Sequence, residues 1–335
     1  MRTYLIRRFL LMIPTLFGIT LITFFIMKAA PGDTATLRAA SAVQGETDPA
    51  VREQILREVR ALYGDDQPLL VQYGTWLKRI ITFDFGESRL YRRPVMDTIL
   101  DALPVTLALN VISVFIIYLI TVPWGVYSST IVGKKLDVAV STVLFLLYSI
   151  PSFWGAMMLV LFFASGIYFD WFPVTGIRSV GAESWPWWRQ LADYARHFTL
   201  PVFCYVYGSL AFLSRFVRST MLENLSADHV RTARAKGLSE TAVLLHHAFR
   251  TGLIPIVTLL GYLLPGLIGG SVIIESIFSI PGLGRLGFDA ILNYDYPLIM
   301  AITTISALLT LAGMLLSDFL YSVVDPRIRF DGERT

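Results

Sequence analysis

The sequence predicts an all-α membrane protein. It has six transmembrane helices, an extracytoplasmic helical insertion between spans 1 and 2, and a cytoplasmic hairpin between spans 4 and 5. Three observations predict it. The 335 residues are 55% hydrophobic and 16% charged, with a mean hydropathy of +0.61, whereas soluble domains are roughly 25% charged. Six apolar stretches reach the ~20 residues a helix needs to cross about 30 Å of hydrocarbon. They lie near 9–30, 103–128, 138–164, 199–221, 253–274 and 298–322. The runs are continuous rather than alternating, which argues against the short period-two segments of a membrane barrel.

Arg2, Arg7 and Arg8 precede a first span that is too long for a signal-peptide core, so residues 1–30 read as a cytoplasmic N-terminus and a retained span. Residues 31–101 form the extracytoplasmic segment. In it Asp48 caps and Pro49 opens a helix with Val51, Ile55, Val59 and Leu62 on one face, ending at Gly64. Pro68 opens a second, with Leu69, Tyr73, Trp76, Leu77 and Ile80 on one face. Two or three such helices are too little for an independent enzyme domain. Residues 102–322 carry spans 2–6, with a loop at 222–252, and 323–335 form a tail.

Basic residues set the orientation. Segments 1–8, 129–137, 215–250 and 325–335 hold three, two, six and three Lys/Arg, against three and one in 165–198 and 275–296. The nine in 31–101 count little, because segments above about 60 residues translocate regardless of charge. Both termini are therefore expected inside. The net charge of +3 follows this asymmetry, and no basic patch interleaved with aromatics points to nucleic acid. Cys204, the single cysteine, allows no disulfide within the chain.

Spans carry Pro14, Pro123, Pro151, Pro201, Pro255 and Pro265. Each frees a carbonyl and kinks its helix, which suits a moving pathway, although proline is also common in membrane helices generally. Trp171, Trp185, Trp187 and Trp188 suit the headgroup level. No internal repeat of a two-half transporter is present, so six spans make half of a pathway.

Residues 228–255, DHVRTARAKGLSETAVLLHHAFRTGLIP, hold the densest information. Asp228, Arg231, Arg234, Lys236 and Glu240 belong outside lipid, where a charge costs roughly 2.5–3.5 kcal/mol on insertion scales. Gly237 can end one helix and Ser239 start the next. Ala233, Ala235 and Gly237 leave the first helix thin, open to another protein's backbone. A solvated loop without a partner is the alternative.

Reactive motifs are mostly decoys. Gly282, Gly284 and Gly287 spell G-x-G-x-x-G, but in a short loop after span 5 rather than between strand and helix, so their expected role is a tight turn. Neither a phosphate-binding G-x-x-x-x-G-K-[ST] nor H-E-x-x-H occurs. Ser271 follows Gly269-Gly270, yet His197, His229, His246 and His247 all precede it outside the hydrocarbon, leaving no base for a serine nucleophile. His246 and His247 are adjacent and face apart, a poor metal pair. Lys28, Arg215, Arg218, Glu275 and Asp318 all lie near span ends, which argues against an ion-coupled secondary carrier.

At the 228–255 stretch the chain resembles the membrane-spanning permease subunit of bacterial ABC importers, in particular the dipeptide/oligopeptide (peptide/nickel) group. YLIRRFLLMIPTLFGITLITFFIMKAAPGD (4–33), DQPLLVQY (66–73), FDFGES (83–88), ALPVTLAL (102–109), YSIPSF (148–153), SIPGLGRLG (279–287) and VDPRIRF (324–330) extend the resemblance over nearly the whole chain. The broad importer pattern at the coupling loop is Glu-Ala-Ala, three residues, glycine, then Ile-x-Leu-Pro. Here Arg231, Thr232 and Ala233 take the first three places, so a cation replaces the glutamate, and Gly237 matches. Arg250 stands where the late proline would fall, with Pro255 five residues beyond. TARAKGLS is similar to the peptide subgroup.

What the resemblance implies is a non-catalytic permease subunit of an ATP-driven importer in the bacterial inner membrane. It would pair with a second homologous permease, two cytoplasmic ABC ATPases and an extracytoplasmic substrate-binding protein. ATP and Mg would be held by the ATPases and no cofactor by this chain. The coupling residues would be Arg231, Thr232, Ala233, Arg234, Ala235, Lys236, Gly237, Leu238 and Ser239. The implied cargo is a di- or oligopeptide, with a nickel chelate or glutathione as alternatives.

Overall fold

The computed structural model describes residues 2–29, 50, 51, 54, 67–263, 266, 267 and 269–324. It is helical: α1 Arg2–Ala29, α2 Leu69–Thr82, α3 Val95–Ser128, α4 Lys135–Ser149, α5 Ser152–Phe163, α6 Trp187–Leu225, α7 Asp228–Ala235 and α8 Glu240–Ala242. A π-helix, Val243–Phe249, then leads into α9 Arg250–Leu263, followed by α10 Val272–Ile277, α11 Leu283–Leu292 and α12 Tyr296–Val324. Among the described residues the only β pairing is an isolated bridge between Glu87 and Pro94.

Five helical stretches are long and apolar enough to cross a membrane: Ile6–Ala29, Val95–Ser128, Trp187–Leu225, Glu240–Leu259 and Tyr296–Leu316. A sixth is reached only if α4 and α5 count as one span. They are bent by 96° within the stretch 138–164, a sharper break than the kink expected of a proline inside one span. Pro151 is the cause. It has no N–H to continue the ladder, and its ring holds Ile150 extended at φ −81°, ψ 119°. The exposed backbone is covered: the Tyr207 hydroxyl donates to the Ile150 carbonyl at 3.0 Å, as burial in an apolar surrounding demands. By contrast Pro14, Pro201 and Pro255 sit inside continuous helices, while Pro265 lies outside the described residues. The fifth span also differs from expectation. Its helix begins at the hairpin, runs unbroken over 240–263, and stops well short of residue 274.

The chain divides into two compact units, Val105–Arg285 with the chain from Gly313, and Arg2–Pro104 with Leu286–Ala312. In the second unit the expected face of α2 is the buried one, through Tyr73, Trp76 and Ile80. Leu77 is half-buried and Leu69 exposed. Phe24 of α1 stacks on Trp76 at 5.9 Å and meets Tyr73 edge-on at 5.4 Å. The Tyr73 hydroxyl lies 3.0 Å from Thr20 Oγ1, so its polar end is satisfied. Asp295 ties the 83–94 loop to the start of α12. Its carboxylate accepts from Ser88 Oγ at 2.6 Å and Leu90 N at 2.9 Å, and caps Leu298 N at 3.4 Å. The helix expected from Asp48 falls largely on residues outside the described set.

In the first unit α6 is the central column, burying Leu200, Cys204, Tyr207, Leu213, Val217 and Met221 along one side. Buried Asp137 fastens α4 to it, accepting from Arg218 Nη1 at 2.8 Å and Gly133 N at 2.9 Å. At the opposite end of α6, Asp193 accepts from the Ser179 N–H and hydroxyl, both at 2.7 Å, and so fixes the 165–186 loop. Trp187 and Trp188 at the start of α6 are exposed.

Candidate functional site

The hairpin after α6 is built from local signals. Asp228 stands in the first turn of α7 and Arg234 in its last, each favourable to the helix dipole. Val230 and Ala233, three apart on one face, are buried in the chain's own core. α7 ends in a Schellman motif: Gly237 N donates to Arg234 O at 2.9 Å and Leu238 N to Ala233 O at 3.4 Å. This closure needs the left-handed conformation, and Gly237 supplies it with φ +79°. Ser239 then caps α8 by accepting from Ala242 N at 3.4 Å. Arg234 clamps the two limbs with a forked bond to Glu240, Nε to Oε1 at 3.0 Å and Nη2 to Oε2 at 3.1 Å. Beyond the turn, Val243 and Ala248 are buried again.

Eight of the nine expected coupling residues are therefore exposed together: Arg231, Thr232, Arg234, Ala235, Lys236, Gly237, Leu238 and Ser239. The ninth is a correction. Ala233 is 4% exposed, because it belongs to the face of α7 that packs inward with Val230, so it is closed to another protein. The thin outer surface is made by Ala235 and Gly237. Arg234 is already engaged with Glu240, and Arg231 lies 3.7 Å from Asp228. Leu238, 42% exposed, is an apolar knob at the tip. The result is a stiff projection whose rim is polar and whose apex is small and apolar, suited to docking.

A second constellation escaped the sequence reading. Glu275, expected as a charge at a span end, is fully buried. Its carboxylate accepts from Arg285 N at 2.9 Å and Thr106 Oγ1 at 3.2 Å, and Thr106 Oγ1 in turn accepts from Leu283 N at 2.8 Å. The carboxylate thus sits on the open N–H groups at the start of α11, where the helix dipole favours negative charge. Gly282 and Gly284 are not a simple tight turn. A Cβ on Gly282 would lie 2.5 Å from the Glu275 carboxyl carbon, and one on Gly284 would lie 2.8 Å from Val272 N. The glycines make room for the carboxylate, and residues 283–291 of the expected loop are helix.

Helices long and apolar enough to cross a membrane several times place the chain in the class of multi-pass membrane proteins. Two family models cover most of it: residues 121–330 match the binding-protein-dependent transport system inner membrane component, and residues 1–110 match the N-terminal part of such membrane components. The chain belongs to this binding-protein-dependent permease family. It is 40% identical to the oligopeptide transport system permease protein AppB of Bacillus subtilis, over 98% of this chain and 100% of that protein. It is 36% identical to the inner membrane ABC transporter permease protein YejB of Escherichia coli O157:H7, over 99% and 100%. To the peptidoglycan transport system permease protein YejB of Agrobacterium fabrum the identity is 33%, over 99% of each. The fold resembles a chain of the inward-facing MetNI methionine ABC transporter, with a TM-score of 0.53 at 18% identity, covering 69% of this chain and 97% of that one.

Proposed function

We propose that the chain is one of two permease subunits of an ATP-driven peptide importer and forms half of its translocation pathway. The observation that carries this is the hairpin between α6 and α9, rigid in itself and presenting Gly237 and Leu238 outward. Cytoplasmic ATPases would dock there and hold ATP and Mg. An extracytoplasmic binding protein would deliver cargo to the opposite side, and a second homologous permease would complete the pathway. ATP-driven closure of the ATPases then biases the bundle between two states through differential contact with the hairpin. Peptide cargo rests on the relatives; the name of the Agrobacterium protein supports a peptidoglycan-derived solute as a second reading. Reconstituted with its partner subunits, the chain should support ATP- and binding-protein-dependent uptake. Labelled oligopeptide and peptidoglycan fragments compared side by side would separate the two readings. The chain purified alone should hydrolyse no ATP, and turnover in a preparation free of other subunits would overturn the division of labour.

The proposed topology has six spans, α4 and α5 together making the third, with both termini and 222–252 cytoplasmic and 31–101 outside. Reporter fusions at residues 60 and 335 should report opposite sides of the membrane. Same-side reporting would defeat the six-span arrangement.

A further inference from the structure

A groove runs between α3, α4 and α6 and has two continuous parts. The apolar part, about 430 Å³, is lined by Ile120, Pro123, Val140 and Leu144. The adjoining part, about 210 Å³, is lined by Ser128, Ser141, Arg215 and Arg218. Trp124, Leu144 and Ser214 border both. Arg218 is half-committed through its bond to Asp137. The Arg215 guanidinium lies 5.7 Å from the centre of the Phe145 ring, and among the described residues no ion pair matches its charge. Exposed Lys134 and Lys135 stand at the start of α4, just before Asp137. One end of the groove is thus cationic and hydroxyl-lined, and the other is hydrocarbon in character.

We propose that this groove binds an anionic glycerophospholipid. Its phosphate would lie at Arg215 and the free edge of Arg218, with an acyl chain along Ile120, Val140 and Leu144. Guanidinium donors fit phosphate oxygens as a planar fork, and basic pockets between membrane helices favour anionic headgroups. A soluble anion has no use for the apolar half, and a zwitterionic headgroup carries its own cation to offset the phosphate. In the proposed orientation the cationic end faces the cytoplasmic leaflet. The inference needs the membrane, but not the identity of the cargo.

The test uses the assembled transporter in phosphatidylethanolamine nanodiscs containing a photoactivatable phosphatidylglycerol. Crosslinks should map to 120–128, 140–145 and 211–218 and be competed by unlabelled phosphatidylglycerol, not by inorganic phosphate. Arg215→Gln should lower labelling about fivefold, the weight of one basic contact at an anionic surface, while Arg215→Lys, which keeps the charge but not the fork, should fall between Arg215→Gln and the unaltered protein. Ser141→Phe, which fills the mouth without changing charge, should abolish labelling. Undiminished labelling in both Arg215→Gln and Ser141→Phe overturns the proposal. So does competition by phosphate, or labelling that appears only after the partner permease is stripped away, which would make the groove a subunit interface.

Discussion

Gly237→Arg should leave the helices folded and the chain in the membrane, yet abolish coupling of ATP hydrolysis to uptake or release the ATPases. A Cβ at Gly237 would meet nothing within 4 Å, so the substitution causes no collision inside this subunit. Its intrinsic cost is the left-handed backbone at φ +79°, about 1–2 kcal/mol for a side chain with a Cβ. That is too little to unfold a bundle of this size, whereas a wedge costing a docked partner about 3 kcal/mol weakens the contact more than a hundredfold. Gly237→Asn separates the two effects, since asparagine tolerates this conformation and adds less bulk; it should retain most coupling. Alanine at Arg234 or Lys236 should be mild, because a wet-rim charge is worth about 0–1 kcal/mol. The readouts are ATPase co-purification and peptide uptake. Normal assembly and uptake in Gly237→Arg would remove the hairpin from the mechanism.

Gly282→Ala should be among the most damaging small substitutions in the chain. Its methyl would stand 2.5–2.7 Å from the Glu275 carboxyl atoms, and that carboxylate cannot retreat without leaving Thr106 Oγ1 and Arg285 N. Overpacking of this kind costs about 1–3 kcal/mol, and abandoning a buried charge-assisted bond costs about as much again. The expected outcome is a lowered thermal midpoint of the assembled transporter in detergent. Glu275→Asp draws the carboxylate back by one methylene, so the double variant should be more stable than the two single losses predict. Strictly additive losses would show that the methyl strikes something other than the carboxylate.

What could be read from residues alone follows the range of the interactions. The long apolar helices are legible because about twenty apolar residues in a row carry the signal themselves; where a span breaks or stops is not. Gly237 and Ser239 were also visible, since a Schellman closure and an N-cap involve only their neighbours. Pro151 is legible as a breaker, but a 96° bend is set by what covers the exposed backbone, here Tyr207, 57 residues after Ile150. The small-residue pattern of α7 points Ala233 outward but does not say which face packs on the chain's own core. The glycines at 282 and 284 were noticed, but their purpose is not local. It depends on Thr106 reaching Glu275 across 169 residues, a pairing that no spacing rule contains.

The seven residues Val243–Phe249 are wound as a π-helix where the hairpin joins the fifth span. Such a segment holds about one residue more than the same length of α-helix. Rewinding it to α geometry would turn everything beyond Phe249 by about 100°, the rotation of a single α-residue. His246 and His247 lie within it, so their bearings would change by part of that step. At this junction, then, a push along the axis and a twist about it are the same displacement.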